Sequence, residues 1–194
     1  MIAMLAPLTT HARPRELLVQ TANPDWTAYF DCGADGTDGV SFVGHLTRTL
    51  KCRGVIVSSI PHTFGTKLEQ PGRLGAVQFE LLGPEDTEFL NYVRTISVTH
   101  DGSRWQFEAG GTIQDFEDIS HYSARRIKDR FTSDVLNQYC QALGLSPFDP
   151  VFYGAKGSLV EVEIVLSADA LSLSLERAQQ RIGVKPGISS RVNG

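Results

Sequence analysis

Arginine on the apolar side of a β-strand demands a chemical explanation, and Arg94 is such a residue. The run from 92 to 100 alternates, placing Tyr92, Arg94, Ile96 and Val98 on one face and Thr95, Ser97 and Thr99 on the other. A guanidinium on the apolar face snorkels to an edge, pairs with a carboxylate, or walls an anion-binding pocket. Glu80, Glu117 and Asp118 are the carboxylates within reach, Glu117 first among them because the chain turns back through Gly110-Gly111. Two readings stay open: a structural ion pair, or the anchor of a small-anion site at the sheet edge. In the second, Trp105 and Tyr122 form the walls and His62 supplies an acid or base.

His62 lies in residues 60–73, a stretch with two prolines and no periodicity. Without a visible partner it reads either as a solvated surface histidine or as an acid, base or ligand. No two of His11, His45, His62, His100 and His121 stand at the i, i+4 spacing of a helical zinc site. On a helix expected over 119–130, Arg125 and Asp129 stand four apart and pair, which makes Arg125, Arg126, Lys128 and Arg130 a solvated, salt-bridged face. The alternative is a surface for phosphate, RNA or an acidic protein. Aromatic residues do not interleave with these arginines, which argues against single-stranded nucleic acid.

Asp31 to Gly39 carries acids at alternate positions, as a calcium loop does. Gly33 stands at its third position, however, and Phe42 at its twelfth, where a bidentate glutamate is required. A glycine-rich turn ending in an Asp38 N-cap accounts for it better, and no metal site is expected. Cys32, Cys52 and Cys140 are far apart, odd in number and form no C-x-x-C pair, as reduced thiols do. No Walker A, G-x-G-x-x-G, G-x-S-x-G or H-E-x-x-H motif occurs, which removes the standard NTPase, dinucleotide, hydrolase and zincin readings. No cofactor is expected.

The elements that must position these residues are clearest between 91 and 144. Asp101-Gly102 reads as a two-residue hairpin turn that sets His100 opposite Ser103, Val98 opposite Trp105, Ile96 opposite Phe107 and Arg94 opposite Ala109. After the helix over 119–130, Thr132 caps a second helix starting at Ser133. Its apolar stripe is Val135, Leu136, Tyr139, Cys140 and Leu143, and Gly144 gives a left-handed C-cap. Elsewhere, Pro14 opens a short helix through Leu17, Leu18 and Val19, residues 26–31 form a strand, and Val40, Val43, Leu46 and Leu50 keep helical spacing. Strands are expected at 55–57, at 74–82, and at 159–166 with Val160, Val162, Ile164 and Leu166 inward. A last helix, capped by Ser167, carries Leu171, Leu175, Ala178 and Ile182. The expected architecture is α+β: a single domain over residues 1–194, with a largely antiparallel sheet of about five or six strands, helices packed mainly on one face, and flexible ends at 1–12 and 185–194.

With 41% hydrophobic and 21% charged residues, the 194-residue chain is too apolar for intrinsic disorder and long enough for one sizeable core. A net charge of -4 provides no global field for nucleic acid or acidic membrane. The apolar start over 1–8 lacks the basic n-region and length of a signal peptide, and no run spans a membrane, so a cytoplasmic, soluble protein is expected.

The block Tyr92-Val93-Arg94-Thr95, Asp101-Gly102-x-Arg104-Trp105, Phe116-Glu117, Tyr122-x-x-Arg125-Arg126-x-x-Asp129-Arg130-Phe131-Thr132 and Ala142-Leu143-Gly144 resembles hypothetical proteins of high-GC bacteria. That resemblance implies a bacterial cytoplasmic protein and no function. Two functional classes are expected from the residues themselves. The first is a non-catalytic binding protein, of an immunity or regulatory type, that occludes a protein partner, resting on the mild acidity and the clusters at 83–88 and 115–118. The second is a small enzyme or anion-binding protein using the pocket around Arg94, Tyr122 and His62. The oligomeric state is not readable from the chain.

Overall fold

Alternation of apolar and polar residues sets out the strands. The computed structural model describes residues 2–34, 39–65 and 72–183. It divides into two compact units, one of residues 1–37, 63–73 and 151–194, the other of residues 38–62 and 74–150. The expected Asp38 cap, the acids Asp35 and Asp38, residues 66–71 of the long loop and the 185–194 end lie outside the described residues. Helices and antiparallel strands are mixed throughout, and the strands fall into sheets of four, three and two in place of one sheet of five or six.

The first unit contains β1 (Leu8–Thr9), β2 (Arg15–Thr21) and β3 (Thr27–Asp31), with β8 (Tyr153–Glu161), β9 (Ser172–Leu173) and a short helix α3 (Leu175–Arg181). Residues 15–21 form a strand where a helix was expected after Pro14. Leu17, Val19 and Thr21 are buried in strict alternation, and β2 is the central strand of β3-β2-β8, so cross-strand pairing overrides the helix-start signal. Leu5, Leu17, Val19 and Cys32 form the core.

The expected strand over 159–166 stops at Glu161. Val162 donates to Pro14 O, but Pro14 has no N–H to return the bond, and the ladder ends there. Val160, Val162, Ile164 and Leu166, expected inward, are exposed. The helix expected from Ser167 begins later, under Ser174, because Ser172 and Leu173 are taken into pairing with β1. The start of the chain is tied down by burial of Leu5, Thr9 and Thr10, and Thr9 hydroxyl donates to Ala12 O.

The second unit carries the residues of interest. Its sheet runs β4 (Gly54–Ile60), β5 (Ala76–Leu82), β6 (Tyr92–His100), β7 (Trp105–Gly111), all antiparallel neighbours. Two helices, α1 (Val40–Leu50) and α2 (Ser133–Ala142), begin and end close to where spacing places them. The N-cap of α1 is Gly39, with no side-chain cap. Thr132 Oγ1 accepts from Val135 N and caps α2, while Gly144 takes φ 73° and Leu145 N donates to Cys140 O.

The helices lie on opposite faces of this sheet, not on one. Gly44 of α1 sits against Leu82 and Gly39 against Ile56, whereas Tyr139 of α2 meets Phe79 edge-on at 6.2 Å. Alternation places Leu82 and Ile56 on one side and Phe79, Ile96 and Val98 on the other.

Candidate functional site

The β6–β7 hairpin pairs His100 with Trp105, Val98 with Phe107, Ile96 with Ala109 and Arg94 with Gly111. This is two residues out of the register expected from an Asp101-Gly102 turn. Gly102 takes φ 103° as the first of two central residues, Gly102-Ser103, and Asp101 N donates to Arg104 O. Asp101 Oδ1 accepts from Ser103 N and Arg104 N, so this side chain, rather than a turn starting one residue earlier, organises the reversal. A slip of two preserves faces, and Trp105 and Phe107 remain on the side of Ile96 and Val98.

A second departure comes from a bulge. Leu81 pairs with Arg94 but Leu82 pairs with Tyr92, so Val93 is an extra residue and Tyr92 turns to the face of Leu82 and α1. Arg94 and Tyr92 therefore stand on opposite faces, against the simple alternation.

Arg94 is held by Glu117. Its Nε donates to Oε1 at 2.9 Å and its Nη2 to Oε2 at 2.7 Å, while Nη1 donates to Gly110 O and Gly111 O. Glu117 also accepts from Gln114 N and from Tyr122 hydroxyl. The hydroxyls of Tyr122 and Tyr139 lie 3.1 Å apart. The side chains are 4% and 0% exposed for Arg94 and Glu117, so four of the five guanidinium donors are spent inside the protein, away from water. Burial alone would lower the Arg94 pKa, but the hydrogen bonds and charge of Glu117 raise it on balance. Burial, then hydrogen bonding to Tyr139 and Glu117, pushes Tyr122 well above the ordinary phenol range. This arrangement is a charged latch that fastens residues 112–123 to the sheet.

That latch explains why no long helix forms over 119–130. The chain instead makes two short 3₁₀ turns, Ile119–Ser123 and Ile127–Asp129, separated by an extended Ala124. Asp118 and Ser123 bond locally to Ser120, competing with helical hydrogen bonds. Asp129 accepts from Arg126 and not from Arg125, which is exposed. Arg130 donates to Ala124 O and lays its guanidinium 5.7 Å from the Phe107 ring. Arg125, Arg126 and Arg130 thus form no shared anion cradle.

His62 belongs to another cluster. Its ring stands 4.3 Å from that of His100 and 5.5 Å from Trp105, and Trp105 meets His100 edge-on at 5.2 Å. His62 Nδ1 accepts from Gly75 N, and His100 Nδ1 accepts from Gly102 N, so each neutral ring carries its proton on Nε2 and presents no lone pair there. Gly75 is required because a Cβ would fall 2.6 Å from Trp105. His100 is six residues along β6 from Arg94, about 20 Å at strand rise. Arg94, Glu117 and Tyr122 therefore converge, His62 and Trp105 converge, and the two sets do not meet in one pocket.

A concave feature of the second unit lies on the α1 face, at the bulge. A groove of about 690 Å³ is lined by Thr87, Glu88, Phe89, Tyr92, Val93, Thr95, Gly110, Gly111 and Thr112. Phe89 and Tyr92 stack at 5.7 Å with 6° between ring planes, yet Phe89 is 69% exposed. A tight turn holds it out: Thr87 N donates to Leu90 O, Tyr92 N to Phe89 O and Thr87 hydroxyl to Phe89 O, with Leu90 at φ 54°. Behind this turn Asn91 is buried, donating to Gly83 O, Gly44 O and Thr47 Oγ1, which ties the loop to α1.

Comparison of the chain with protein-family models, with curated proteins and with solved structures returns no match. Among the described residues, no group of three or more His, Cys, Asp or Glu is placed to hold a metal ion, and no helix is long and apolar enough to cross a membrane. Sequence reasoning gave Glu117 as the first-choice carboxylate for Arg94, and placed Tyr122 beside Arg94 only as a pocket wall, not as a donor to Glu117. It missed Phe89, Tyr92 and His100, whose settings depend on the bulge and on the true hairpin register. The available signal was Phe89-Leu90, two consecutive apolar residues in an otherwise polar turn.

Proposed function

We propose that this chain is a non-catalytic cytoplasmic binding protein, of the immunity or regulatory kind, that engages a protein partner through its 85–92 loop. The observation that carries this reading is the Phe89–Tyr92 stack. A large aromatic side chain, 69% exposed but fixed by a hydrogen-bonded turn with a left-handed residue, is an anchor ordered before binding. Preordered aromatics lose little conformational entropy on association and recur as interface hot spots. Acidic residues surround it. Asp86 and Glu85 pair with Arg48 and Lys51 of the α1 end, whereas Glu88 has no ion-pair partner among the described residues. A partner with a basic, partly apolar face fits this chemistry.

The test is native mass spectrometry of tagged wild-type protein and its Phe89→Ala and Glu88→Gln variants purified from the source organism. A protein that accompanies the wild type in fixed stoichiometry and is lost from Phe89→Ala supports the reading. A small molecule that accompanies all three equally, with no protein, sinks it.

A further inference from the structure

We propose that the groove beside Phe89 and Tyr92 takes an arginine or lysine side chain presented by an extended segment of a partner, which lies as an added strand along the free edge of β7. This rests on the protein-partner reading and specifies what is recognised.

Three features converge on it. The first is the edge. β7 is the outermost strand of the four-stranded sheet, and its last four residues, Glu108 to Gly111, are exposed. Thr112 N donates to Val93 O, so by antiparallel alternation Glu108 and Gly110 turn their backbone groups towards β6 while Phe107 and Ala109 turn theirs outward. Ala109, Gly110 and Gly111 carry almost no side chain to obstruct a strand that pairs with the outward groups of Phe107 and Ala109, while Gly110 O and Gly111 O are already held by Arg94. The second is the shape of the groove, whose floor at Gly110 and Gly111 is continuous with that edge. Gly111 is obligatory, since at φ 81° a Cβ would lie 2.3 Å from Val93 O.

The third is the lining chemistry. Glu88 is the groove's single ionisable carboxylate and no basic residue lines it. Three threonines add hydroxyl acceptors, and the Phe89–Tyr92 stack offers the π faces that attract a cation. Glu108 adds a second carboxylate, without an ion-pair partner among the described residues, on the same face as Gly110 and one row away. An anion or a neutral sugar finds no donor side chain here other than hydroxyls. A guanidinium or ammonium finds a carboxylate, hydroxyl oxygens and an aromatic face.

The experiment uses the full chain and three labelled eight-residue peptides, acetylated and amidated: one with arginine at alternate positions, one with glutamate in their place, and the arginine peptide N-methylated at alternate backbone amides. Fluorescence anisotropy measures affinity, and amide shifts in ¹⁵N-labelled protein locate the contact. The arginine peptide is expected to bind and to shift the amides of Val93, Thr95, Gly110 and Gly111, while the other two peptides bind at least about tenfold more weakly. Phe89→Ala, at an exposed position that leaves folding intact, weakens binding about tenfold. Glu88→Gln weakens it about threefold to tenfold and flattens its salt dependence. Equal binding of the glutamate or N-methylated peptide, unchanged affinity in both variants, shifts confined to other residues, or no binding by the arginine peptide each overturns the proposal. If a native partner is still lost from Phe89→Ala while the arginine peptide does not bind, the partner surface stands and this mode of recognition is wrong.

Discussion

Replacing Arg94 with alanine tests the latch directly. The substitution removes both charge-assisted bonds to Glu117, at 2.9 and 2.7 Å, and both donors to Gly110 O and Gly111 O. Glu117 is then a carboxylate with a fully buried side chain, supported only by Gln114 N and the Tyr122 hydroxyl. Breaking a buried pair from one side costs about 3–5 kcal/mol, because the remaining charge has neither water nor a counter-ion. The paired change Arg94→Met with Glu117→Gln removes both charges together, so it should recover a large part of the loss. The two units need not unfold together. The measurement is therefore urea denaturation in a Trp26→Phe background, where Trp105 alone reports on the unit containing the latch. A loss below about 1 kcal/mol for Arg94→Ala, or a double variant no more stable than the single ones, would refute the argument that this pair is buried and structural.

Gly111→Ala places a Cβ 2.3 Å from Val93 O at φ 81° and should cost more than the roughly 1–3 kcal/mol of a strained backbone, read as a lower urea midpoint. The Asp101 carboxyl is held far below the usual range by backbone hydrogen bonds from Arg104 and Ser103 and by the side chain of Gln106. Because its folded pKa is depressed, its stabilisation is present above the unfolded value of about 3.9 and is lost as pH falls towards the folded value. Asp101→Asn should remove that contribution to acid sensitivity, checked by comparing melting curves between pH 5 and 2. Burial pushes the Cys140 thiol up to about 12, so it stays protonated at neutral pH; with iodoacetamide, exposed Cys52 should be labelled in the native protein and buried Cys32 and Cys140 only on unfolding. Phe79→Ala removes a ring with no exposure that packs on Phe116 and Tyr139, and should cost about 3–5 kcal/mol by denaturation.

Local chemistry was enough for much of the second unit. Helix α2 was legible because Thr132, its apolar stripe and Gly144 each act within a few residues. Strand β5 follows from alternation, and the Arg94–Glu117 pair follows from the cost of an unpaired charge on an apolar face. The same reasoning failed where a distant strand decided. Residues 15–21 are extended because β3 and β8 flank them, and β8 stops where Pro14, across the sheet, lacks an N–H. The expected helix over 119–130 gave way to two 3₁₀ turns, the first of them tied to Glu117 through Tyr122.

For the candidate site the division is sharper. The sequence by itself determined that Arg94 on an apolar face needs a carboxylate or a bound anion, with Glu117 the first candidate, and that the 101–102 region turns. Only the tertiary structure decided that the latch is closed to ligands, that His62 joins His100 and Trp105 rather than Arg94, and that Phe89 and Tyr92 form a wall. The physical reason is that each depends on pairing between residues distant along the chain: the true hairpin register sets His100 beside Trp105, and the Val93 bulge, opposite Leu81 and Leu82 ten or more residues away, reverses the face of Tyr92.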